Sequence, residues 1–324
     1  MSRSLKQFLQ REILAVTFSA LCGIAATLAC PPVYASPQTS SKNVSSAPSQ
    51  QQLGKSFASP RDAAAALYAA AKSNDESALL VVLGPNAKEV INWSDNSKDR
   101  QDDSELFAQK YTQMHRLVKD PDGTGSLYVG AENWPLPIPL VERNGAWYFD
   151  VGAGKNEILY RRLGKNEMEA MQVCGALVDA EKDFYRAAHQ YAQKFVSSGS
   201  AHDGLFWPVS NSTANSPIGP FLAHAGFNDT TEADRAPFHG YYYRILLRQG
   251  PDAPGGVRNY VVNSKMTGGF AILAFPVQYR SSGVMTFIVG QDGTVYEKDL
   301  GPMTDKLAEQ IDQYNPDNTW KKSQ

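Results

Sequence analysis

A long stripe of apolar side chains is the feature that most constrains the fold of this 324-residue chain. Apolar residues recur at steps of three, four and seven, which is the period of one face of an α-helix. The stripe comprises Met168, Met171, Cys174, Leu177, Val178, Phe184, Tyr185, Ala188, Tyr191, Ala192 and Phe195. A helix over this stretch spans about eight turns, or roughly 42 Å. We therefore predict one long amphipathic helix whose apolar face lies in the core.

A short repeat precedes and overlaps the start of the stripe. The sequence GKNEI at 154–158 recurs as GKNEM at 164–168. Asparagine is a favoured N-cap, and Glu169 stands at the third helical position after Asn166, which would complete a capping box. Gly164 is a residue type that commonly ends helices. The repeat therefore predicts two consecutive helices, the second of which contains the stripe.

Five strand candidates follow the stripe, after a polar loop over 197–236. They cover 240–247, 257–262, 269–277, 283–289 and 294–299. Glycine- and serine-rich turns separate the last three, and Asp292-Gly293 predicts a tight hairpin between the final pair. We predict that residues 153–324 form one domain, in which the long helix packs on an antiparallel β-meander.

Residues 56–152 have the signals of a separate N-terminal α+β domain. Ser59-Pro60 marks a helix start, and a second helix is predicted over Glu76–Leu83. The apolar spacing of Phe107, Tyr111, Met114 and Val118 predicts a third helix, with His115 beside that face. Strands are predicted over 126–130, 138–143 and 146–151, with a hairpin turn at Asn144-Gly145. The predicted fold class of the whole chain is α+β.

Each half resembles a known architecture. Three helices and a short meander ending in Trp147-Tyr148-Phe149-Asp150 resemble the cone-shaped folds of the nuclear-transport-factor-2-like (NTF2-like) group. Over 166–300, the long helix and the meander with GGFAILAFP resemble type IV pilins and secretion pseudopilins. Pilins have a glutamate at the fifth residue after a glycine cleavage site, whereas Leu28 stands at that distance from Gly23. The pilin resemblance therefore implies a shared architecture without the filament-forming segment.

The first 35 residues have the composition of a secretory signal peptide. Three basic residues precede an almost wholly apolar run over 13–29, and Val33-Tyr34-Ala35 has the small-x-small pattern that signal peptidase accepts. We predict cleavage after Ala35 and a periplasmic or secreted protein. Two alternatives stay open: a lipoprotein anchored at Cys30, and a retained membrane anchor, since the run is just short of a spanning helix.

Cleavage at this site would change the charge and the cysteine content of the chain. It removes three basic residues and one acid, which leaves 28 basic and 32 acidic residues and a net charge of −4. Cys174 would be the only cysteine left, so no internal disulfide or cysteine-based zinc site could form. We predict that Cys174 is a buried core residue. Residues 36–55, rich in Ser, Gln and Pro, are predicted to be a disordered linker.

Charge and motifs argue against several classes of function. A net charge of −2 without a basic cluster gives no electrostatic reason for a nucleic-acid partner. The sequence has no G-x-S-x-G elbow, H-E-x-x-H helix, C-x-x-C pair, Walker loop or G-x-G-x-x-G, so we predict no cofactor and no metal. The acidic turn that starts at Asp120 would need a glutamate at its twelfth position to bind calcium, and Ala131 stands there.

Four residues are the candidates for catalysis, should the protein be an enzyme. His239 lies in APFHGYYYRILL beside three tyrosines, and as a general base it would need an orienting acid, with Glu232 and Asp234 nearest in sequence. Glu297 and Asp299 are two apart on a predicted strand, so both point to one face. Arg244 is a candidate partner for either acid. The alternative for His239 is a structural role in the turn at Gly240, bonded to backbone.

Nearly all of the chain after the signal peptide resembles one bacterial family. The blocks PFHGYYYRIL, APGG, GGFAILAFP, SGVMTFIV and VYEKDLGP together resemble the domain-of-unknown-function family 2950 (DUF2950). The resemblance implies export and a two-part body, and the family has no established activity to carry over. We expect a non-catalytic protein that binds or assembles an unknown envelope protein or surface component, with membrane contact only through an uncleaved or lipidated N-terminus. The alternative is a periplasmic hydrolase that uses His239 with Glu297 and Asp299.

Overall fold

The structure is a computed structural model that describes residues 53–91, 97–198, 201–207, 216–227 and 235–323. The predicted signal peptide, nearly all of the predicted linker, and Glu232 and Asp234 lie outside these residues. The described residues divide into two compact units, with the boundary between Ile158 and Leu159. The boundary that we predict from sequence lies a few residues earlier, at 152.

The first unit begins with helices whose ends follow the local capping signals. They are α1 (Pro60–Lys72), α2 (Glu76–Leu83), α3 (Lys88–Ile91) and α4 (Ser97–Gln113), with a 3₁₀ turn at Pro85–Ala87. Ser59 caps α1 by accepting a hydrogen bond from the Asp62 amide, and Pro60 is the first helical residue. Asp75 caps α2 in the same way through the Ala78 amide, and α2 ends at Gly84.

A small antiparallel sheet follows these helices. Its strands are β1 (His115–Lys119), β2 (Gly125–Val129), β3 (Trp134–Pro135), β4 (Leu140–Arg143) and β5 (Ala146–Phe149). The order is β1-β2-β4-β5, and β3 pairs with β2. Leu127, Leu140 and Phe149 are almost fully buried in the core between this sheet and the helices of the unit.

The third helix that the sequence predicts, from Phe107 to Val118, extends further along the chain than the helix in the structure. Helix α4 ends at Gln113, and Val118 and His115 lie on β1, where they pair with Ser126 and Val129. The acidic turn after β1 explains the difference, because the Asp120 carboxylate accepts from the Ser126 hydroxyl at 2.6 Å and the Asp120 amide donates to Thr124. This turn closes a β-hairpin, and the hairpin takes residues 115–119 into the sheet.

Helix α5 (Val151–Ala188) is a single element of 38 residues, so the prediction of two helices divided at Gly164 is wrong. Asp150 caps its N-terminus by accepting from the Ala153 amide at 3.0 Å. A Cβ at Gly164 would meet nothing within 4 Å, so this glycine lies on an open helix surface and ends no element. The predicted capping box of Asn166 and Glu169 does not form, since both side chains bind other segments.

The apolar stripe continues past the end of α5 in a different conformation. His189 adopts a positive φ of 52°, after which the Tyr191 amide donates to the Met266 carbonyl at 2.8 Å. Ala192 and Phe195 are buried, as the stripe predicts, although they lie outside the helix. The helix ends at Ala188 because tertiary hydrogen bonds take over from the helical ones.

The second unit contains a five-stranded antiparallel sheet in the order β14-β13-β12-β11-β6. Its strands are β6 (Tyr241–Leu246), β11 (Ala271–Pro276), β12 (Met285–Gly290), β13 (Val295–Asp299) and β14 (Lys321–Lys322). The predicted strand 257–262 is instead divided between two short ladders, β7 (Arg248–Gln249) with β8 (Arg258–Asn259), and β9 (Val261–Val262) with β10 (Lys265–Met266). Short helices α6 (Pro220–Ala223) and α7 (Thr304–Gln310) complete the unit.

The core of the second unit joins this sheet to the apolar stripe of α5. Cys174 and Leu177 from the helix are fully buried in one cluster with Leu273 and Val289 from the sheet. Burial raises the pKa of the Cys174 thiol to about 12. The residue is therefore a small core hydrophobe, as we predict from its place in the stripe. Helices and antiparallel sheets in both units confirm the α+β class.

Candidate functional site

His239 forms an ion-pair geometry with an acid on the long helix. Its Nδ1 lies 2.7 Å from Oε2 of Glu169, and both side chains are partly exposed, at 30% and 18%. A carboxylate only accepts, so Nδ1 is the donor and Nε2 is the ring nitrogen left for another partner. The acid that binds His239 is thus Glu169, and neither Glu232 nor Asp234, which are nearest in sequence. The contact is to a side chain, whereas the structural alternative for His239 expects a bond to the backbone. The local sequence around Glu169 predicts a capping box, and it contains no signal for this pair.

Two neighbours of Glu169 also hold loops of the sheet. Asn166 Nδ2 donates to the Ser282 carbonyl at 2.7 Å, and Glu167 Oε1 accepts from the amides of Val284 and Met285 at 2.7 and 3.1 Å. We call Asn166, Glu167 and Glu169 the α5 polar cluster. Through this cluster, Glu169 binds the turn before β6, while Asn166 and Glu167 of the second repeat copy bind the loop before β12.

The turn at His239 and Gly240 needs unusual backbone angles. His239 has φ of 52° and Gly240 has φ of 75°, both in the left-handed region. A Cβ at Gly240 would lie 2.6 Å from Asn166 Nδ2 and 3.1 Å from the Ser282 side chain. Glycine is therefore required here both for its φ and for the close approach to the α5 polar cluster.

The three tyrosines after this turn alternate across β6. Tyr241 and Tyr243 are fully buried, and burial raises the pKa of both phenols above their ordinary value. Tyr241 donates from its hydroxyl to the Met285 carbonyl at 2.9 Å. Tyr242 packs against the rings of Phe227 and Phe275. These contacts place the aromatic run in the core, with both faces of the strand covered.

Arg244 is a helix cap, so the expectation that it pairs with Glu297 or Asp299 is not met. Its guanidinium is buried and donates to the carbonyls of Ala308 at 2.7 Å and Glu309 at 3.2 Å, and also to that of Ile311. These carbonyls are at the C-terminal end of α7, where a cation satisfies acceptors without helical partners. Desolvation lowers the pKa of this guanidinium from its ordinary value.

Glu297 and Asp299 lie on β13, which two strands separate from β6. Three interstrand spacings put about 14 Å between the backbones of β6 and β13. Asp299 accepts from the Tyr279 hydroxyl at 3.2 Å and from the Gly301 amide at 2.7 Å, while Glu297 is paired in register with Lys321. The structure thus brings His239 to Glu169 and places the two β13 acids elsewhere in the sheet.

Glu181 is a buried acid that sequence analysis misses. It has no exposed surface, Oε2 accepts from the Ala192 amide at 2.8 Å, and Oε1 has no partner among the described residues. Burial raises the pKa of this carboxyl to about 8, so it is protonated at neutral pH. The signal was present in the sequence, because position 181 falls within the apolar stripe between Val178 and Phe184.

In the part of the chain that the structure describes, no helix is both long enough and apolar enough to cross a membrane. Within the same residues, no group of three or more His, Cys, Asp or Glu side chains is placed to hold a metal ion.

The fold and this site define an α+β protein of two units in which a polar cluster on a long helix holds the loops of an antiparallel sheet. The chain belongs to the family described as "Protein of unknown function (DUF2950)", whose model matches residues 54–323. Comparison with curated proteins gives no match, and comparison with solved structures gives none either. The resemblances to NTF2-like folds and to pilins therefore stay predictions.

Proposed function

We propose that this protein is an exported, non-catalytic component of the bacterial envelope that binds a partner. One observation is the main support: the polar residues that suggest catalysis have structural partners. His239 pairs with Glu169, Arg244 caps α7, and Asp299 accepts from Tyr279 and Gly301. A catalytic group must instead face a substrate together with an orienting group and a reacting atom.

The exposed stripe of α5 in the second unit offers a face for a protein partner. Tyr160, Gly164, Met168, Gln172 and Ala176 are all exposed at steps of four, and none is charged. Tyr160 is 65% exposed and Met168 is 44% exposed. The solvent face of a soluble helix is ordinarily charged, and an uncharged stripe with a large aromatic side chain is typical of a contact surface.

A site-specific crosslinking experiment tests the binding role. A photo-reactive residue at Tyr160 should give one defined adduct with an envelope protein in living cells, and the same residue at Val257, which is 75% exposed, serves as the control. The adduct should be lost in a Met168→Glu variant and kept in a His239→Ala variant. Equal crosslinking at both positions, or loss in the His239 variant alone, would contradict the proposal.

The export part of the proposal has its own measurement. Mass spectrometry of the mature chain from the periplasm or medium should show an N-terminus at Ser36. A diacylglyceryl mass increment on Cys30 would establish the lipoprotein alternative, and an intact N-terminus in the membrane fraction would establish the anchor.

One observation favours the alternative of a hydrolase. Glu169 orients the His239 ring so that Nε2 is available, which is the arrangement of a general base. The catalytic partners in that alternative would be His239 and Glu169, without Glu297. Turnover of a cell-wall or lipid substrate that His239→Ala and Glu169→Gln both reduce at least a hundredfold would establish the enzyme and overturn the non-catalytic proposal.

A further inference from the structure

A shallow groove lies on the helical face of the first unit. Its volume is about 500 Å³, and its walls are α1 and the C-terminal half of α4. The lining residues are Tyr68, Lys72, Ala108, Gln109, Thr112 and Gln113. None of them has a role in the site described above, which belongs to the second unit.

Tyr68, the aromatic residue that lines the groove, is the first ring of a stack of three. Tyr68 stacks on Tyr111 with centroids 4.6 Å apart and an angle of 15°, and Tyr111 stacks on His115 at 3.9 Å and 8°. Tyr111 is buried, and His115 Nδ1 is 3.0 Å from its carbonyl oxygen. Thr112 Oγ1 lies 3.2 Å from the Tyr68 hydroxyl. These contacts fix the plane of Tyr68 before any ligand arrives, and a fixed aromatic surface lowers the entropic cost of binding.

The rim supplies amides and cations. Gln109 and Gln113 are exposed and four residues apart on α4, so their side chains are neighbours on one helix face. Lys72 Nζ lies over the Tyr68 ring at 5.6 Å from its centroid. Arg61 is exposed and stands seven residues before Tyr68 on α1, which places it on the same face.

The acids of α4 precede the residues that line the groove. All four come before Phe107 in the sequence, and the last of them, Glu105, lies one helical turn before Gln109. The hydrogen bond to Thr112 and the proximity of Lys72 lower the pKa of the Tyr68 phenol, which is consistent with a locally positive environment. The groove therefore combines an aromatic surface, two amides, hydroxyls and a positive rim.

We propose that this groove binds a short stretch of an anionic polysaccharide. One sugar ring would stack on Tyr68, the exposed Lys72 would move from the ring face to a sugar carboxylate, and Gln109 and Gln113 would bond to hydroxyl groups. Amides match the paired donors and acceptors of a sugar, and the apolar face of a sugar ring matches an aromatic ring. The inference names an anionic polysaccharide as a ligand for the proposed binding role. It rests on that role being non-catalytic.

The chemistry of the groove favours a glycan over other polymers. A protein partner would require a larger apolar centre than the ring of Tyr68 provides. A nucleic acid would require a larger basic surface than Arg61 and Lys72 supply. An anionic sugar needs only one cation and a few hydrogen bonds for each residue.

Isothermal titration of the mature full-length chain with trigalacturonic acid tests the proposal, with maltotriose as the neutral control sugar. We expect the acidic trisaccharide to bind and the neutral one to bind at least about tenfold more weakly, since one charged contact is lost. Lys72→Gln should weaken binding of trigalacturonic acid about tenfold, whereas Lys119→Gln, on an exposed position of β1, should leave it unchanged.

Further variants separate binding from folding. Tyr68→Ala should abolish binding, but it also disturbs the stack on Tyr111, so Gln109→Ala with Gln113→Ala provides a second test on exposed positions that are outside the aromatic stack. This double variant should bind at least fivefold more weakly with an unchanged unfolding transition.

Each remaining outcome has a defined meaning. Absence of binding to both sugars, or equal binding of both, would overturn the inference while leaving crosslinking at Tyr160 as a separate test of the proposed function. Binding followed by cleavage of trigalacturonic acid would overturn the non-catalytic role, and with it the inference that rests on that role. Binding to phosphatidylglycerol vesicles that depends on Lys72, without binding to the sugar, would also overturn the inference.

Discussion

The turn at His239 and the groove at Tyr68 use similar residue types for different purposes. At the turn, the imidazole of His239 binds Glu169 of the α5 polar cluster. The amide of Asn166 and the carboxylate of Glu167 in that cluster bind backbone groups of the same unit. At the groove, two glutamine amides and the ammonium group of Lys72 lie exposed on the rim of a concave surface. Polar groups with internal partners stabilise a fold, whereas exposed polar groups around a fixed aromatic ring can recognise a ligand. The histidine–tyrosine motif around His239 therefore marks a region whose polar groups have internal partners. It does not mark the groove at Tyr68.

The largest expected difference is between the stability losses caused by replacing Arg244, which has internal partners, and Lys72, which is exposed at the groove. Arg244→Met should lower the free energy of unfolding by about 3 kcal/mol or more, because three carbonyls around the end of α7 lose a buried charged donor. Lys72→Met, at the groove, should change it by less than about 0.5 kcal/mol. Urea unfolding followed by tryptophan fluorescence measures both values. Similar losses for the two variants would show that the division into internal and exposed groups is wrong.

Glu181 provides the next largest effect, because it is a buried acid with only one of its two oxygens bonded. Its pKa is about 8 in the folded chain and about 4.5 when unfolded, so the folded state holds the proton more tightly. The resulting stabilisation is fully present below pH 4.5, decreases as the pH rises and is lost above pH 8. The total change is on the order of a few kcal/mol.

Replacing the acid by its amide tests this pH dependence. Relative to Glu181→Gln, the natural chain should lose stability steadily between pH 5 and pH 8 in thermal or urea unfolding, because the amide does not titrate. A difference between the two chains that is constant over this window would show that Glu181 is ionised in the folded state. Glu169→Gln, on a partly exposed acid of the α5 polar cluster, serves as the control for losing a carboxylate.

The sequence predicts the elements better than it predicts their partners. Alternation and turn residues place β11, β12 and β13 to within a few residues, since both signals are local. Asn166 and Glu169 also give a correct local pattern for a capping box. Their actual partners are far along the chain, and the carbonyl that Asn166 binds is 116 residues away. Such contacts arise from the tertiary fold, and a single sequence contains no local signal for them.

The same limit explains what was missed at the candidate sites. The capping role of Arg244 depends on carbonyls 64 residues or more away. His115 and Val118 fit a helical spacing, but the hairpin that begins at Asp120 takes them into a strand. The groove depends on Tyr68 meeting Tyr111 across two helices. Glu181 is different, because an acid inside an apolar stripe is visible in the sequence and predicts a buried, protonated group.

A matched pair of glycines gives the smallest effect and the sharpest test of the His239 turn. Gly240 and Gly293 have similar positive φ values of 75° and 79°. Each Gly→Ala replacement should cost about 1 kcal/mol for the left-handed backbone. Gly240→Ala should cost about 1–2 kcal/mol more, because its Cβ would lie 2.6 Å from Asn166 Nδ2, whereas a Cβ at Gly293 meets nothing within 4 Å.

The additional loss at Gly240 should depend on Asn166. In an Asn166→Ala background the clash with Asn166 and its hydrogen bond to the Ser282 carbonyl are both absent, so Gly240→Ala should cost less there than in the natural chain, although the 3.1 Å approach to the Ser282 side chain keeps its cost above that of Gly293→Ala. Unfolding in urea for the four chains of this double-mutant cycle gives the coupling energy directly. A coupling near zero would mean that Asn166 does not hold the turn, and the α5 polar cluster would then be a set of surface contacts comparable to the rim of the groove.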